Sequence, residues 1–270
     1  MVVQHNLSAM NANRMLNVTT SAQSKSTEKL SSGYKINRAG DDAAGLSISE
    51  KMRSQIRGLN KASDNAQDGI SLIQVAEGAL NETHSILQRM NELATQAAND
   101  TNTSVDRQSI KDEIEQLNEE LDRISTTTQF NKQDLLTGGF SGKLQVGALE
   151  GQTMDVKISL AVSAKGLNVS AVEVSTNAKA GDAMQSIQDA IESVSKQRSK
   201  LGAIQNRLEH TINNLDTNAE NTQAAESRIR DTDMADEMVQ YSKNNILAQA
   251  GQSMLTQANQ QTQGVLSLLQ

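Results

Sequence analysis

The side chains best suited to chemistry are thinly scattered in this sequence. Its three histidines, His5, His84 and His210, lie far apart, and the chain contains no cysteine. It has neither an HExxH zinc-protease motif nor a G-x-S-x-G nucleophile motif. Residues 40–45 (GDDAAG) lack the Gly-Lys-Ser/Thr ending of a phosphate-binding loop. We therefore predict a protein that is not an enzyme and that binds no metal or organic cofactor.

The neighbouring carboxylates Asp41 and Asp42 are the one pair that suggests a metal site or acid–base catalysis. No histidine or further carboxylate is placed to complete such a site. Aspartate is also favoured at helix N-termini, where its oxygens accept hydrogen bonds from backbone N–H groups that have no helical partner. We therefore interpret both residues as caps at the start of a helix.

The overall composition narrows the class of protein further. The 270 residues carry a net charge of -7 and include two Phe, two Tyr, no Trp and no Pro. So few aromatic residues argue against a large globular core, while the absence of proline permits long helices. The acidic balance argues against nucleic acid as a partner. No apolar run is long enough for membrane insertion, and the N-terminus does not have the pattern of a cleaved signal peptide.

Heptad spacing predicts long helices that pack side by side. The pattern occurs in three stretches of the chain. The second stretch is a helix that begins at Ser104, its predicted N-cap, and ends near Thr128. The third stretch includes two polar seam residues, Arg198 and Gln205. The first and clearest seam comprises Leu59, Ala62, Ala66, Gly69, Ile73, Ala76, Leu80, Thr83, Leu87, Met90, Ala94 and Ala97. The third comprises Met184, Ile187, Ile191, Val194, Arg198, Leu201, Gln205, Leu208, Ile212, Leu215 and Ala219.

The period changes between the second and third seams. Apolar residues alternate at Leu144 and Val146 and again from Met154 to Leu160, on either side of a turn at Glu150 and Gly151. This pattern predicts a β-hairpin. Residues 161–181 fit either extended structure or a long loop.

Both chain ends show amphipathic helical patterns in which charges are sparse or absent. Residues 246–270 contain no Asp, Glu, Lys or Arg, and the N-terminal stretch ends at Gly33, a good helix C-cap. We expect the two ends to bury each other's apolar stripes. The predicted fold is mainly α: an elongated antiparallel helical or coiled-coil bundle with a small β-hairpin and paired N- and C-terminal segments. The stripe residues are Val3, Leu7, Met10, Leu247, Ala250, Met254, Val265 and Leu268.

Three segments together resemble bacterial flagellin. They are residues 30–59 (LSSGYKINRAGDDAAGLSISEKMRSQIRGL), 67–99 (QDGISLIQVAEGALNETHSILQRMNELATQAAN) and 246–270 (ILAQAGQSMLTQANQQTQGVLSLLQ). The resemblance implies a structural subunit that polymerises into the extracellular helical flagellar filament used for swimming. It also implies export through the flagellar type III apparatus without a cleaved signal peptide.

The same resemblance implies a domain plan and a set of partners. The terminal D0 domain would comprise residues 1–40 and 233–270, and D1 residues 41–160 and 182–232. Residues 161–181 would replace the outer domains of larger members, giving a short form with D0 and D1 only. Expected partners are further copies of the chain, an export chaperone and a filament cap. The eight stripe residues would form the polymerisation interface of D0. Five of them would be exposed in the single subunit and buried in the filament: Leu247, Ala250, Met254, Val265 and Leu268.

The resemblance further implies binding of the innate immune receptor TLR5 through D1. The receptor motif maps onto Arg89, Leu93 and Glu113. Arg89 and Leu93 are four residues apart and so share one helix face. Two alternatives to a filament subunit stay open. They are a hook–filament junction protein, which shares the terminal pattern more loosely, and a non-flagellar coiled-coil scaffold, which would normally carry charges along its whole length.

Overall fold

The computed structural model describes residues 6–267, with side chains described for residues 6–261. Within this range the chain is mainly helical. Val3 and Leu268 and the side chain of Val265 lie outside the described residues. The helices are α1 (Leu7–Ser32), α2 (Ala43–Ala97), α3 (Ser104–Thr127), α4 (Asn177–Arg230) and α5 (Met234–Ser267), and the strands are β1 (Gln129–Phe130), β2 (Gln133–Asp134), β3 (Phe140–Gln145) and β4 (Thr153–Ile158).

The chain divides into two compact units, which are described separately. The terminal unit comprises Met1–Gln55 and Glu220–Gln270, and the inner unit comprises Ile56–Ala219. Both unit boundaries fall inside the long helices α2 and α4. They therefore differ from the predicted D0 and D1 limits, which follow the ends of the helices; the D0 and D1 assignment stays a prediction.

The heptad seam of α2 forms the centre of the inner unit. All twelve predicted seam positions are buried, including the polar Thr83, whose hydroxyl donates to the carbonyl of Ala79 (2.9 Å). Helix α3 buries Ile110, Ile114, Leu121 and Ile124 against the same core. Because buried apolar area is the main stabilising term in such packing, this seam holds the unit together. The heptad prediction for α2 and α3 is confirmed.

The start of α3 differs from the prediction by one residue. The N-cap is Thr103 rather than Ser104, and it forms a capping box with Asp106. The Thr103 hydroxyl accepts from the Asp106 N–H (3.4 Å), and the Asp106 carboxylate accepts from the Thr103 N–H (2.9 Å). Threonine and serine are both good N-caps, so the acidic residue at the third position decides between them.

Helix α4 begins earlier in the chain than its heptad pattern predicted, and its buried face is wider than the predicted seam. It starts at Asn177, inside the segment predicted as a connector. Arg198 and Gln205 only flank the seam, while Gln197 is buried and donates to the Lys157 carbonyl of β4 (3.4 Å). The strand thus covers one more face of the helix than a two-helix seam would. The fully buried positions include Ala183, Ile187, Ala190, Val194, Gln197 and Leu201.

The predicted hairpin is confirmed as an antiparallel pair of β3 and β4. Its register runs from Phe140↔Ile158 to Gln145↔Thr153. The hairpin packs closely on α2, because a Cβ on Gly58 would lie only 2.8 Å from that of Ala148. A second, two-residue ribbon of β1 and β2 was not predicted. Its turn places Asn131 and Lys132 at positive φ, a conformation that the sequence signals most clearly when glycine follows asparagine.

Residues 161–176 form neither a strand nor a helix, yet they are part of the core. Val162, Leu167, Val169 and Val174 are buried in it. The segment is fixed by polar contacts as well, since the Ala164 N–H donates to the Asp122 carboxylate (2.8 Å). The expectation of a connecting segment is therefore wrong for residues 177–181, which are helical, and incomplete for the rest.

Candidate interaction surfaces

The two terminal helices pair antiparallel, as predicted from the sequence. Near one end the Asn6 side-chain amide donates to the Ala258 carbonyl (3.0 Å). At the other end the Lys29 ammonium lies 3.6 Å from the Glu237 carboxylate. Between them Gly251 faces Leu16. These three contacts place α1 and α5 side by side along most of the length of α1.

Most positions in the seam between α1 and α5 are small residues, with Leu16, Tyr241 and Leu255 as the large ones. The seam repeats at steps of three and four on both helices, so that one face of each turns towards the other. For the described large stripe residues the expectation of mutual burial is wrong, because their side chains are exposed and do not lie in the seam: Leu7, Met10, Leu247 and Met254. The seam positions are Ala9, Ala12, Leu16, Thr19, Ala22 and Ser26 on α1, and Tyr241, Ala248, Gly251, Leu255 and Ala258 on α5.

The large apolar side chains of the terminal helices point outward instead. We call ten of them the outer apolar set; each has between 46% and 71% of its surface exposed. Ala250 is exposed as well. Among the other described residues, Val105 and Leu149 of the inner unit are exposed to a similar degree (72% and 66%), Val75 of the inner unit is 41% exposed, and Ile48 on α2 of the terminal unit is 46% exposed. The set is Leu7, Met10, Met15, Val18, Met234, Met238, Val239, Ile246, Leu247 and Met254.

Arg230 holds the segments that connect the helices of the terminal unit. Its guanidinium lies 4.7 Å from the centre of the Tyr34 ring and 3.3 Å from the Glu50 carboxylate. Two backbone hydrogen bonds flank it: the Lys35 N–H donates to the Arg230 carbonyl (2.7 Å), and the Thr232 N–H donates to the Gly33 carbonyl (3.0 Å). The sequence showed only a polar, capping-rich stretch here. The useful signal was Tyr34, one of four aromatic residues in the chain.

Asp42 caps the start of α2, which confirms the interpretation from sequence for that residue. For Asp41 the interpretation is wrong, because its carboxylate bonds to the turn that precedes it and not to the helix. The Asp42 carboxylate accepts from the Gly45 N–H (3.0 Å) at the start of α2. The Asp41 carboxylate accepts from the backbone N–H groups of Arg38 (3.1 Å) and Asn37 (3.2 Å). The hydrogen bond from Arg38 is the main cause that lowers the pKa of Asp41 below its ordinary value.

Of the three predicted receptor residues, two lie at the surface and one does not. The Arg89 guanidinium donates to the Glu113 carboxylate from Nε (3.0 Å) and Nη2 (2.8 Å), joining α2 to α3. This bond raises the pKa of Arg89 above its ordinary value, with a smaller contribution from Glu92. Leu93, only 2% exposed, belongs to the core. It packs in the core on the same helix as Arg89 and is not available for the surface contact that the four-residue spacing suggested.

The described residues hold no cluster that suggests metal chemistry: between residues 6 and 267, no three His, Asp or Glu side chains are grouped closely enough to hold an ion. None of the helices in this part of the chain combines the length and the apolar character that a membrane span requires.

Two family profiles match most of the chain. The profile "Bacterial flagellin N-terminal helical region" matches residues 3–141, and "Bacterial flagellin C-terminal helical region" matches residues 184–269. The chain is 55% identical to a flagellin of Halalkalibacterium halodurans and 51% identical to a flagellin of Bacillus subtilis. It is 52% identical to a 31.3 kDa flagellar filament core protein of Treponema maltophilum. Each of these three alignments covers both chains completely.

Solved structures agree with the fold. The crystal structure of Bacillus cereus flagellin is 34% identical and superposes with a TM-score of 0.51, covering 60% of this chain and 94% of that one. A putative flagellar hook-associated protein from Vibrio parahaemolyticus superposes with a TM-score of 0.62 over 71% of this chain and all of its own. At 15% identity the second match speaks for the shared fold alone.

Proposed function

This chain belongs to the bacterial flagellin family and is a filament subunit, and we propose that its outer apolar set is the surface through which it polymerises. The polymer is the extracellular helical filament used for swimming. The pairing of α1 with α5 prepares each copy, and contacts with neighbouring copies then cover the side chains that this pairing leaves outside.

The observation that carries the proposal is where the exposed apolar side chains lie. Ten of them are on the two terminal helices, and these helices carry few charges to compensate. A concentration of exposed apolar side chains in one part of a chain indicates an interaction site. A second copy of the same chain fits as the partner, because a filament grows by repeating one head-to-tail contact between copies of a single chain.

The free energy available from this surface is large enough for assembly. Leu7 is 71% exposed, so most of its side chain still awaits burial. At about 25 cal/mol per Å² of apolar area, each such residue contributes about 1–2 kcal/mol when a neighbour covers it. Several residues acting together therefore exceed the roughly 4 kcal/mol minimum that association costs in lost motional freedom.

Serine substitutions on the outer apolar set test the proposal. Leu7→Ser, Val18→Ser and Ile246→Ser should together raise the concentration of subunit left unpolymerised by about 100-fold or more, since they remove about 3–6 kcal/mol of burial. Val105→Ser is the matched control: Val105 is 72% exposed but lies in the inner unit. Sedimentation of polymer at several subunit concentrations gives the measurement. Equal effects of the triple variant and the control would contradict the proposal.

The same surface explains the partners expected before assembly. Exposed apolar helices invite non-specific association inside the cell, so an export chaperone that covers α5 and a filament cap that receives the subunit fit this chain. Export in unfolded form without a cleaved signal peptide is part of the same proposal. Pull-down with the cognate flagellar chaperone should capture the intact chain and lose a variant that lacks residues 251–270. Undiminished capture of the truncated variant would contradict the proposed chaperone site.

A second proposed function is binding of the receptor TLR5 by the unassembled subunit, through Arg89 and Glu113. What supports it is that both side chains are about half exposed, 50% and 44%, while bonded to each other across two helices. Such a pair is pre-oriented, so a partner does not have to order two flexible side chains. Arginine is also common among the residues that dominate binding energy.

Receptor activation by purified monomer tests this second proposal. Arg89→Ala should reduce activation about tenfold or more, as expected for a residue at the centre of an interface. Arg123→Ala is the matched control, because Arg123 forms an exposed ion pair with Glu120 on α3 alone. Leu93→Ala should act differently, by weakening the core, which thermal unfolding would register. If Arg89→Ala and Arg123→Ala activate equally well, the pair has no receptor role.

A further inference from the structure

Methionine supplies half of the outer apolar set. Five methionines of the terminal unit are each at least 48% exposed: Met10, Met15, Met234, Met238 and Met254. Two methionines of the inner unit, Met90 and Met154, are buried in its core. The chain has no cysteine, so its sulfur chemistry belongs to thioethers. The exposed methionines of the described residues lie on the two terminal helices, while Met52 on α2 and Met184 on α4 are half-buried.

Exposed thioethers react with peroxides in a defined way. The sulfur lone pair attacks one oxygen of hydrogen peroxide, the O–O bond breaks, and the products are a sulfoxide and water. Sulfur is oxidised by two electrons and the peroxide is reduced by two. The side chain changes from apolar to polar and gains a strong hydrogen-bond acceptor. An acceptor buried in a contact without a donor is unfavourable.

We propose that these five methionines form an oxidation-sensitive set that controls whether the subunit can assemble. The proposal rests on polymerisation through the outer apolar set. Oxidation of the free subunit by a peroxide puts polar groups on the surface that neighbouring copies must cover, and polymerisation is suppressed. A methionine sulfoxide reductase reverses the change: a dithiol reductant becomes a disulfide, the oxygen leaves as water, and the thioether returns.

Two features of the chain make the effect selective. The buried sulfur atoms of Met90 and Met154 are shielded in the core, so the fold of the inner unit survives oxidation. The five exposed atoms are divided between the two helices, with Met10 and Met15 on α1 and the others on α5. Oxidation therefore affects contacts made by either helix. Because every subunit of a polymer makes the same contacts, the weakening recurs at each subunit.

The first experiment treats dilute, unassembled full-length protein with hydrogen peroxide. Peptide mass spectrometry should show sulfoxide at the five exposed positions well before Met90 and Met154. The concentration of subunit left unpolymerised should then rise about tenfold or more, and reduction by methionine sulfoxide reductase should restore it. Filaments assembled before treatment should be protected at the same five positions.

A variant with all five methionines changed to leucine provides the matched control. Leucine keeps a similar apolar volume but has no sulfur to oxidise. Peroxide should therefore leave the concentration of unpolymerised variant at the value measured before treatment, whatever that value is. Unchanged polymerisation of oxidised wild-type protein would overturn the inference, as would equal oxidation of exposed and buried methionines.

Partial oxidation of the wild-type chain gives an independent test should the fivefold variant fail to assemble. Sulfoxide at the five positions should be enriched in the subunits left out of the polymer, and equal content in both fractions would overturn the inference. Failure of untreated wild-type protein to polymerise would instead contradict the proposed function, so the two failures are distinguishable.

Discussion

Replacing Arg230 with alanine should free the segment that joins α1 to α2. In the structure this residue stacks on Tyr34 and binds the Glu50 carboxylate. Only 11% of its side chain is exposed, so both the aliphatic part and the charged group of the side chain are in contact with neighbouring residues. Alanine removes all three contacts together but leaves the backbone free to keep its own hydrogen bonds.

The size of the effect follows from these contacts. The guanidinium–ring contact contributes about 0.5–2 kcal/mol, and the ion pair at most about 1 kcal/mol because Glu50 is 58% exposed and well solvated. With the lost packing, the total is about 2–3 kcal/mol, a substantial part of the stability of a single domain. The backbone bonds made by Lys35 and Thr232 remain, so the junction should weaken without unfolding completely.

Hydrogen exchange of the Lys35 and Thr232 amides measures this weakening. Their protection should fall about 30- to 150-fold in Arg230→Ala, since local opening is favoured by the same 2–3 kcal/mol. Arg230→Lys should lie between wild type and alanine, because lysine keeps the charge but loses the planar stacking. Arg228→Ala is the control: Arg228 is exposed and two residues earlier on the same helix. Equal protection in the Arg230→Ala and Arg228→Ala variants would refute the reasoning.

Two further predictions concern the inner unit. Gly58→Ala should destabilise it, because the new Cβ would lie 2.8 Å from the Cβ of Ala148. Gly78→Ala places its Cβ in open space and should stabilise α2 by about 1 kcal/mol. Urea unfolding of the two variants measures the difference, and equal shifts in stability would show that the hairpin does not pack tightly on α2. Thr103→Ala should cost about 1 kcal/mol near neutral pH. The hydrogen bond from the Thr103 hydroxyl lowers the pKa of Asp106 in the folded protein. The cap therefore stabilises the helix fully above the unfolded-state pKa of about 3.9, and this stabilisation is lost as the pH falls through the lower folded-state pKa. The cost of Thr103→Ala should therefore shrink in acid, and a pH-independent cost would contradict the coupling.

The sequence predicted the packing of the helices and the hairpin well wherever a single periodicity determines which residues are buried. All twelve seam positions of α2 are buried as expected, because a helix that packs against neighbours along one face needs a regular apolar stripe. The hairpin was found for a similar reason, through alternation on either side of Gly151. The seam of α4 was less accurate, since strand β4 covers a second face and brings Gln197 into the core.

The site was harder to predict than the fold. At the chain ends the large apolar residues drew attention, and the pairing of α1 with α5 was correct. The seam itself uses small residues such as Ala12 and Gly251, whose spacing carries a weak signal in a sequence rich in alanine. The junction at Arg230 depends on contacts between residues almost 200 positions apart in the chain, which no local pattern encodes.

Labelling of a single introduced thiol tests most directly whether the outer apolar set is the assembly surface. The natural chain has no cysteine, so Met254→Cys provides one reactive group, at a position where the native side chain is 60% exposed. The rate of reaction with a maleimide is measured in the free subunit and in the polymer. Our account predicts rapid labelling of the subunit and at least about tenfold slower labelling in the filament. Equal rates in both states would contradict it.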